Sequence, residues 1–252
     1  MNASNRPRYT RHFYIACLLA RSAAFLFLVG YALTAPESFQ ADLTASPFHL
    51  TPLTAVWALL MLSMISRFFP SKVESLGCQK EFSGRFRPTG EEKPSHQELR
   101  ASNRGALLVL LSWVALNAVF YICYWKGILG ARFMVCLAGF YGVCEIICIL
   151  FFCPFQSWMM HNRCCTTCRI FNWDYIMICT PLTVLKGPLV FSACILSVIL
   201  LLRWEITHAR HPHRFYESGN RAMRCNECQE HLCKYKRALK RAVKHSNSQS
   251  RH

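Results

Sequence analysis

Apolar residues in this chain are gathered into long blocks rather than alternating with polar ones. Blocks at 13–34, 50–69, 105–125 and 133–155 each run to 20 residues or slightly more. At about 1.5 Å per helical residue, such a block crosses roughly 30 Å of hydrocarbon. A fifth apolar region, 170–204, exceeds one span and is interrupted by Pro181 and by Lys186-Gly187-Pro188. The pattern predicts an all-α, polytopic membrane helical bundle. Four transmembrane helices are clear, followed by a C-terminal hairpin or one long kinked helix. In the hairpin reading, 170–185 goes up, Lys-Gly-Pro turns, and 189–203 comes down. Each arm is then only about 23 Å long, which calls for a re-entrant segment or a thinned bilayer. In the rival reading Lys186 is buried near the midplane.

Between the blocks lie polar stretches: an N-terminus (1–12), a connection (70–104), a Cys-rich loop (156–169) and a tail (205–252). The helices thus group as 13–69, 105–155 and 170–204. The N-terminus carries Arg6, Arg8 and Arg11, and the connection after block two is rich in Lys and Arg. Residues 35–49 hold neither, only Glu37 and Asp42. The positive-inside rule therefore puts the N-terminus and the 70–104 connection in the cytoplasm. The basic tail belongs there too, which requires an even number of crossings and favours the hairpin. The expected setting is a cell membrane, with block one a retained anchor rather than a cleaved signal peptide. Residues 84–97 read as a flexible linker and 245–252 as disordered.

Charge adds little beyond topology. The net charge is +16. Its placement beside spans suits anionic lipid headgroups and a cytoplasmic protein partner, and argues against nucleic acid.

The chain has fifteen cysteines. Eight lie in or beside apolar blocks, where a thiol behaves as a small hydrophobe. The others include two C-x-x-C pairs, Cys165/Cys168 in the loop and Cys225/Cys228 in the tail, with His231 and Cys233 following. Two such pairs can make a tetrahedral thiolate site for zinc, and iron–sulfur or thiol–disulfide chemistry are the alternatives. Nearby Arg and Lys are expected to lower these thiol pKa values.

Two charges fall inside spans. Arg21 is about 12 Å deep from the cytoplasmic side and Glu145 about 15 Å deep on an antiparallel helix, so the pair can meet. Their pairing serves helix packing or a proton, ion or substrate site. Asn172-Trp173-Asp174 reads as a helix cap. The segment 208–214, rich in His and Arg, reads as a solvated juxtamembrane stretch. No P-loop, G-x-S-x-G or H-E-x-x-H motif is present, and no catalytic residue is named. Three functions follow in order: a membrane scaffold with zinc-stapled cytoplasmic parts, an electron- or thiol-transfer protein, and a small transporter using Arg21 and Glu145.

Overall fold

The computed structural model describes residues 6–90, 94–162, 164–228 and 233, with side chains from Thr10 onward. Among them, the regular elements are helical: α1 (Arg6–Thr34), α2 (Pro36–Thr44), α3 (Pro52–Ser66), α4 (Leu76–Gln79), α5 (His96–Trp125), α6 (Ala131–Leu150), α7 (Asp174–Cys179) and α8 (Pro188–Arg210). A 3-10 turn, Thr180–Val184, prolongs α7. The helices α1, α5, α6 and α8 are long and apolar enough to cross a membrane; α3 and the segment Asp174–Val184 are shorter apolar helices.

Local chemistry sets the helix starts. Thr51 accepts from the Thr54 backbone N–H, the Thr54 hydroxyl answers, and Pro52 supplies a fixed φ at the first turn of α3. Ser95 and Glu98 form the same reciprocal cap on α5.

The 170–204 region is a hairpin. The chain breaks at Leu185–Gly187, Lys186 is exposed at the turn, and α8 starts at Pro188. The kinked-helix alternative is therefore wrong. The arms are unequal, a short α7 with its 3-10 turn against a 23-residue α8. Gly187 has φ +148°, a conformation open to glycine, and a Cβ there would lie 2.4 Å from the Leu43 carbonyl oxygen on α2.

Side-chain contacts give the direction of each pass. Arg21 meets Glu145 while Arg132 donates to the Ala32 carbonyl, so α1 and α6 are antiparallel. Trp57 donates to Ser192 near the start of α3, and Arg203 to the Phe68 carbonyl past its end, so α3 and α8 are parallel. Trp113 and Tyr121 of α5 reach Thr180, running alongside α7. The chain passes along the bundle six times and leaves α8 at the end where α1 began. Exposed Leu, Ile, Val and Phe side chains cover the outer faces of α1, α3, α5 and α8, the surface expected against lipid.

At that shared end, the connection after α3, the loop after α6 and the segment after α8 interlock as a cap. Lys80 is buried, donates to the carbonyls of Thr166 and Cys168, and lies over the rings of Trp204 and Phe215. Arg169 forms a two-pronged pair with Glu205, and Trp204 donates to the Arg169 carbonyl. Pro88 and Asn220 form a bridge, and Leu76 packs on Ala222 and Met223. The expected 84–97 linker is tethered at 85–89, where Arg85 donates to the Ser71 carbonyl, the Arg221 N–H to the Arg87 carbonyl and the Thr89 hydroxyl to the Ser218 carbonyl, while most of its described residues are exposed; its 91–93 lie outside the described residues, as do 245–252. The 208–214 stretch departs from a solvated one as well: His208 is buried and hydrogen-bonds Tyr216.

Gly187→Ala combines strain at positive φ with a clash, and is expected to destabilise by roughly 1–3 kcal/mol. Thermal unfolding in detergent should show a lowered midpoint. Gly30→Ala, which meets nothing within 4 Å, should leave it unchanged or raised.

Candidate functional site

A cavity of about 480 Å³ opens between α1 and α3 and is floored by α6, α7 and α8. It extends from Tyr14, Arg67 and Glu74 at the cap end to Leu43 and Leu53 beside α2. Small side chains on α1, Ala20 and Ala24, keep its wall thin, while Leu28, Val56, Trp57, Leu60 and Ile178 make it apolar. The volume lies in the range of about 300–1,000 Å³ typical of ligand pockets.

The polar groups converge near the cap end. Arg21 pairs with Glu145 and also donates to the Gly142 carbonyl at 3.0 Å. Sequence depth alone predicts this pair, and the structure brings it together. Arg67, 7% exposed, donates to Asn172 and Asp174, each at 3.1 Å, and lies over the Tyr175 ring. Its Nε faces Glu74 Oε1 at 3.4 Å but has no hydrogen-bond partner. Glu74 also accepts from Gln79 at 3.0 Å. Ser63, Ser66 and Tyr175 complete the polar lining.

Asp174 is thus an ion-pair partner rather than a cap. It is the first residue of α7, and the residue before it, Trp173, makes no side-chain capping bond. Asn172 bridges Arg67 to the Cys78 carbonyl. Neither Arg67 nor Glu74 stands out in the sequence. Both sit in a basic connection whose charges topology already explains, and the only available hint is an acid, Asp174, opening an apolar hairpin.

The cysteines are free thiols. The structure divides the expected ligand set. Cys165 and Cys168 are buried in the loop; Cys165 donates to Gln156 Oε1 at 2.8 Å, and Cys168 is a close neighbour of Lys80. Cys225 lies within electrostatic reach of Cys228, Cys233 and Cys164, the loop thiol omitted from the C-x-x-C pairing. Cys225 is exposed. Among the described residues, no three His, Cys, Asp or Glu side chains form a group able to hold a metal ion; His231 lies outside the described residues. The expected lowering of thiol pKa fails at both ends of the set. Burial pushes Cys168 up to about 12 despite the Lys80 ammonium, and burial with Glu217 and the neighbouring thiols raises Cys225.

The cap holds two strongly shifted groups. Burial pushes the Lys80 ammonium down to about 8. Burial pushes the Glu81 carboxyl up to about 7, although Arg203 at 3.4 Å and Arg67 pull the other way. Between 4.5 and about 7 the folded state therefore holds a proton on Glu81 that the unfolded chain has lost. That contribution to stability is complete below the lower value and disappears as pH rises through the upper one. The thermal midpoint of the detergent-solubilised protein should fall as pH rises across this window, and Glu81→Gln should flatten the fall. An unchanged slope in the variant excludes Glu81 as its source.

No protein-family model matches the chain, and no curated protein or solved structure is found similar to it.

Proposed function

We propose that the chain is a multi-pass membrane protein that binds a lipid-like amphiphile between α1 and α3, as a carrier or small transporter. The apolar part of the ligand lies along the cleft, and its head meets Arg67, Arg21 and Glu74. The observation carrying this reading is an apolar cavity that ends in charged groups at one end of a helix bundle. It extends the transporter reading of the Arg21–Glu145 pair. That end also carries most of the basic side chains, among them Arg85, Arg87, Arg100, Arg104, Arg210, Arg214, Arg221 and Arg224, against Lys126, Arg132 and Lys186 at the other. The positive-inside rule therefore supports a cytoplasmic cap.

A zinc ion on the cap is a second reading, favoured by the proximity of Cys225 to Cys164, Cys228 and Cys233. Elemental analysis after purification without added metal tests it. Stoichiometric zinc, lost in Cys225→Ser/Cys228→Ser, supports it; metal-free wild type removes it.

The cleft reading is tested by filling the cleft. Ala24→Trp should reduce the amphiphile that co-purifies in detergent to about a tenth or less, measured by extraction and mass spectrometry. Leu33→Trp, on the exposed face of α1, should retain it. Equal retention in wild type and Ala24→Trp overturns the reading.

A further inference from the structure

Arg21 lines the middle of the cleft, between Tyr14 and Leu28 of the same helix, and it has donors to spare. Nη1 alone makes both bonds of this side chain, to Glu145 and to the Gly142 carbonyl. Among the described residues, Nε and Nη2 have no partner, and neither is sealed off. The Arg21 side chain is 25% exposed, against 8% for Arg67, so it is the guanidinium that a ligand in the cleft can reach. The acids nearby are already engaged. Glu145 has Arg21, Asp174 has Arg67, and Glu74 has Arg67 and Gln79. A cationic head therefore finds no free acid at this level, whereas an anionic head finds the open N–H groups of Arg21.

Charge sets a condition on that anion. Arg21 and Arg67 stand with Glu74, Glu145 and Asp174, an excess of one negative charge. Tyr14, Cys17, Cys78 and Tyr175 beside them are neutral in their ordinary forms. An anion arriving alone raises the excess to two, at a depth where uncompensated charge is costly. A proton that enters with the anion holds the excess where it was. Glu145 is the acceptor the geometry offers, because it and the incoming head share one guanidinium, and two anions so placed repel each other. The other charged and titratable groups around Glu145 are Cys17 of α1, Arg67 beyond α3 and Asp174 of α7. Asp174 keeps its own guanidinium, Arg67, throughout.

We infer that the cleft takes up an anionic amphiphile together with one proton, the head bound to Arg21 and the proton held by Glu145. The head accepts from Arg21 Nε and Nη2. The tail continues past Ala24, Leu28 and Val56 towards Leu43 and Leu53. The added anion and the added proton cancel, so the head leaves the interface for the depth of Arg21 without adding net charge to the bundle. A single-chain carboxylate or sulfonate is such an amphiphile.

This inference rests on the cleft reading and deepens it. Decanesulfonate is the probe, because its head stays anionic at every working pH and any proton taken up must land on the protein. The full-length protein in nonionic detergent is dialysed against labelled probe at a series of pH values, and proton uptake is recorded in weak buffer. Binding should take up about one proton per probe, and affinity should fall about tenfold for each unit rise in pH. Glu145→Gln stands in for the protonated acid. It should bind at high pH as tightly as the wild type does at low pH, with the slope and the proton uptake both lost. Glu81→Gln, in the cap, should keep both. Ala24→Trp should abolish binding. The thermal midpoint checks that each variant is folded. Binding without proton uptake, or a slope that survives in Glu145→Gln, overturns the assignment of Glu145 and leaves the cleft standing. Loss of binding in a folded Glu145→Gln overturns it as well. If decanesulfonate binds at no pH, or less tightly than decyltrimethylammonium, the anionic head is wrong. If Ala24→Trp binds the probe as the wild type does, the cleft reading falls too.

Discussion

The Arg67 guanidinium sits where α3 leaves the bundle, nearly closed to solvent, and its partners come from two separate parts of the chain. Asn172 and Asp174 open the hairpin, Glu74 belongs to the connection that returns to α5, and Tyr175 lies on α7. A buried charge without such partners is costly, and removing one partner of a buried pair costs roughly 3–5 kcal/mol. The end of α3, the start of α7 and the cap connection are therefore tied to a single point. The hairpin enters at that point, and its direction brings α8 back to the cap. The cleft ends there because the same guanidinium closes it.

Elsewhere in the bundle, polar contacts settle what apolar surfaces leave open. Hydrocarbon is as apolar as a leucine side chain, so burial against a neighbouring helix does little to fix register in a membrane. Four helix pairs instead have a polar contact at a defined level. Arg21 with Glu145 fixes α1 on α6, and Trp57 with Ser192 fixes α3 on α8. Trp113 with Thr180 fixes α5 on α7, and Tyr141 with Asn117 fixes α6 on α5. The cap follows aqueous rules instead. Its centre is a buried lysine held by two carbonyls and two aromatic faces, surrounded by Trp204, Phe215 and the Arg169–Glu205 pair. Such a centre draws on all three contributing segments at once.

Much of this is legible in the sequence, and the reasons differ from element to element. Block length alone carries α1, α5 and α6, whereas block two, read as a full span, is the 15-residue α3, and the fourth long helix, α8, comes from the interrupted fifth region, where only a short arm was expected. The hairpin is carried by Lys186-Gly187-Pro188 together with the excess of basic residues beyond α8, two independent signals that agree. The Arg21–Glu145 pair follows because helical rise converts residue number into depth. The cleft leaves no comparable trace. It arises where α1 and α3 fail to fill the space between them, and hydrophobic pattern records which face is apolar, not whether it is filled. Arg67 is hidden for a different reason: one arginine among the basic residues of a connection is fully explained by topology. The C-x-x-C spacing also misleads, because adjacent loop cysteines point to different neighbours. Cys165 turns inward to Gln156 while Cys164 is the one near Cys225 of the tail.

The abundance of cysteine has a structural reading that needs no shared chemistry. Cys179 on α7 donates to the Ala193 carbonyl of α8, and Cys194 on α8 donates to the Cys179 carbonyl in return. These reciprocal bonds at 3.8 Å lie beside the small, buried Ala193 and Ser197 of α8. A thiol is small enough for close helix approach, apolar enough for lipid depth, and still a weak donor to a carbonyl on the facing helix. Leucine would force the arms apart, alanine would forgo the bond, and serine would carry a stronger desolvation cost. Cysteine satisfies all three demands of a short hairpin whose first arm is too brief to hold itself by area. In this hairpin the cysteine pair Cys179 and Cys194 thus marks helix packing rather than chemistry.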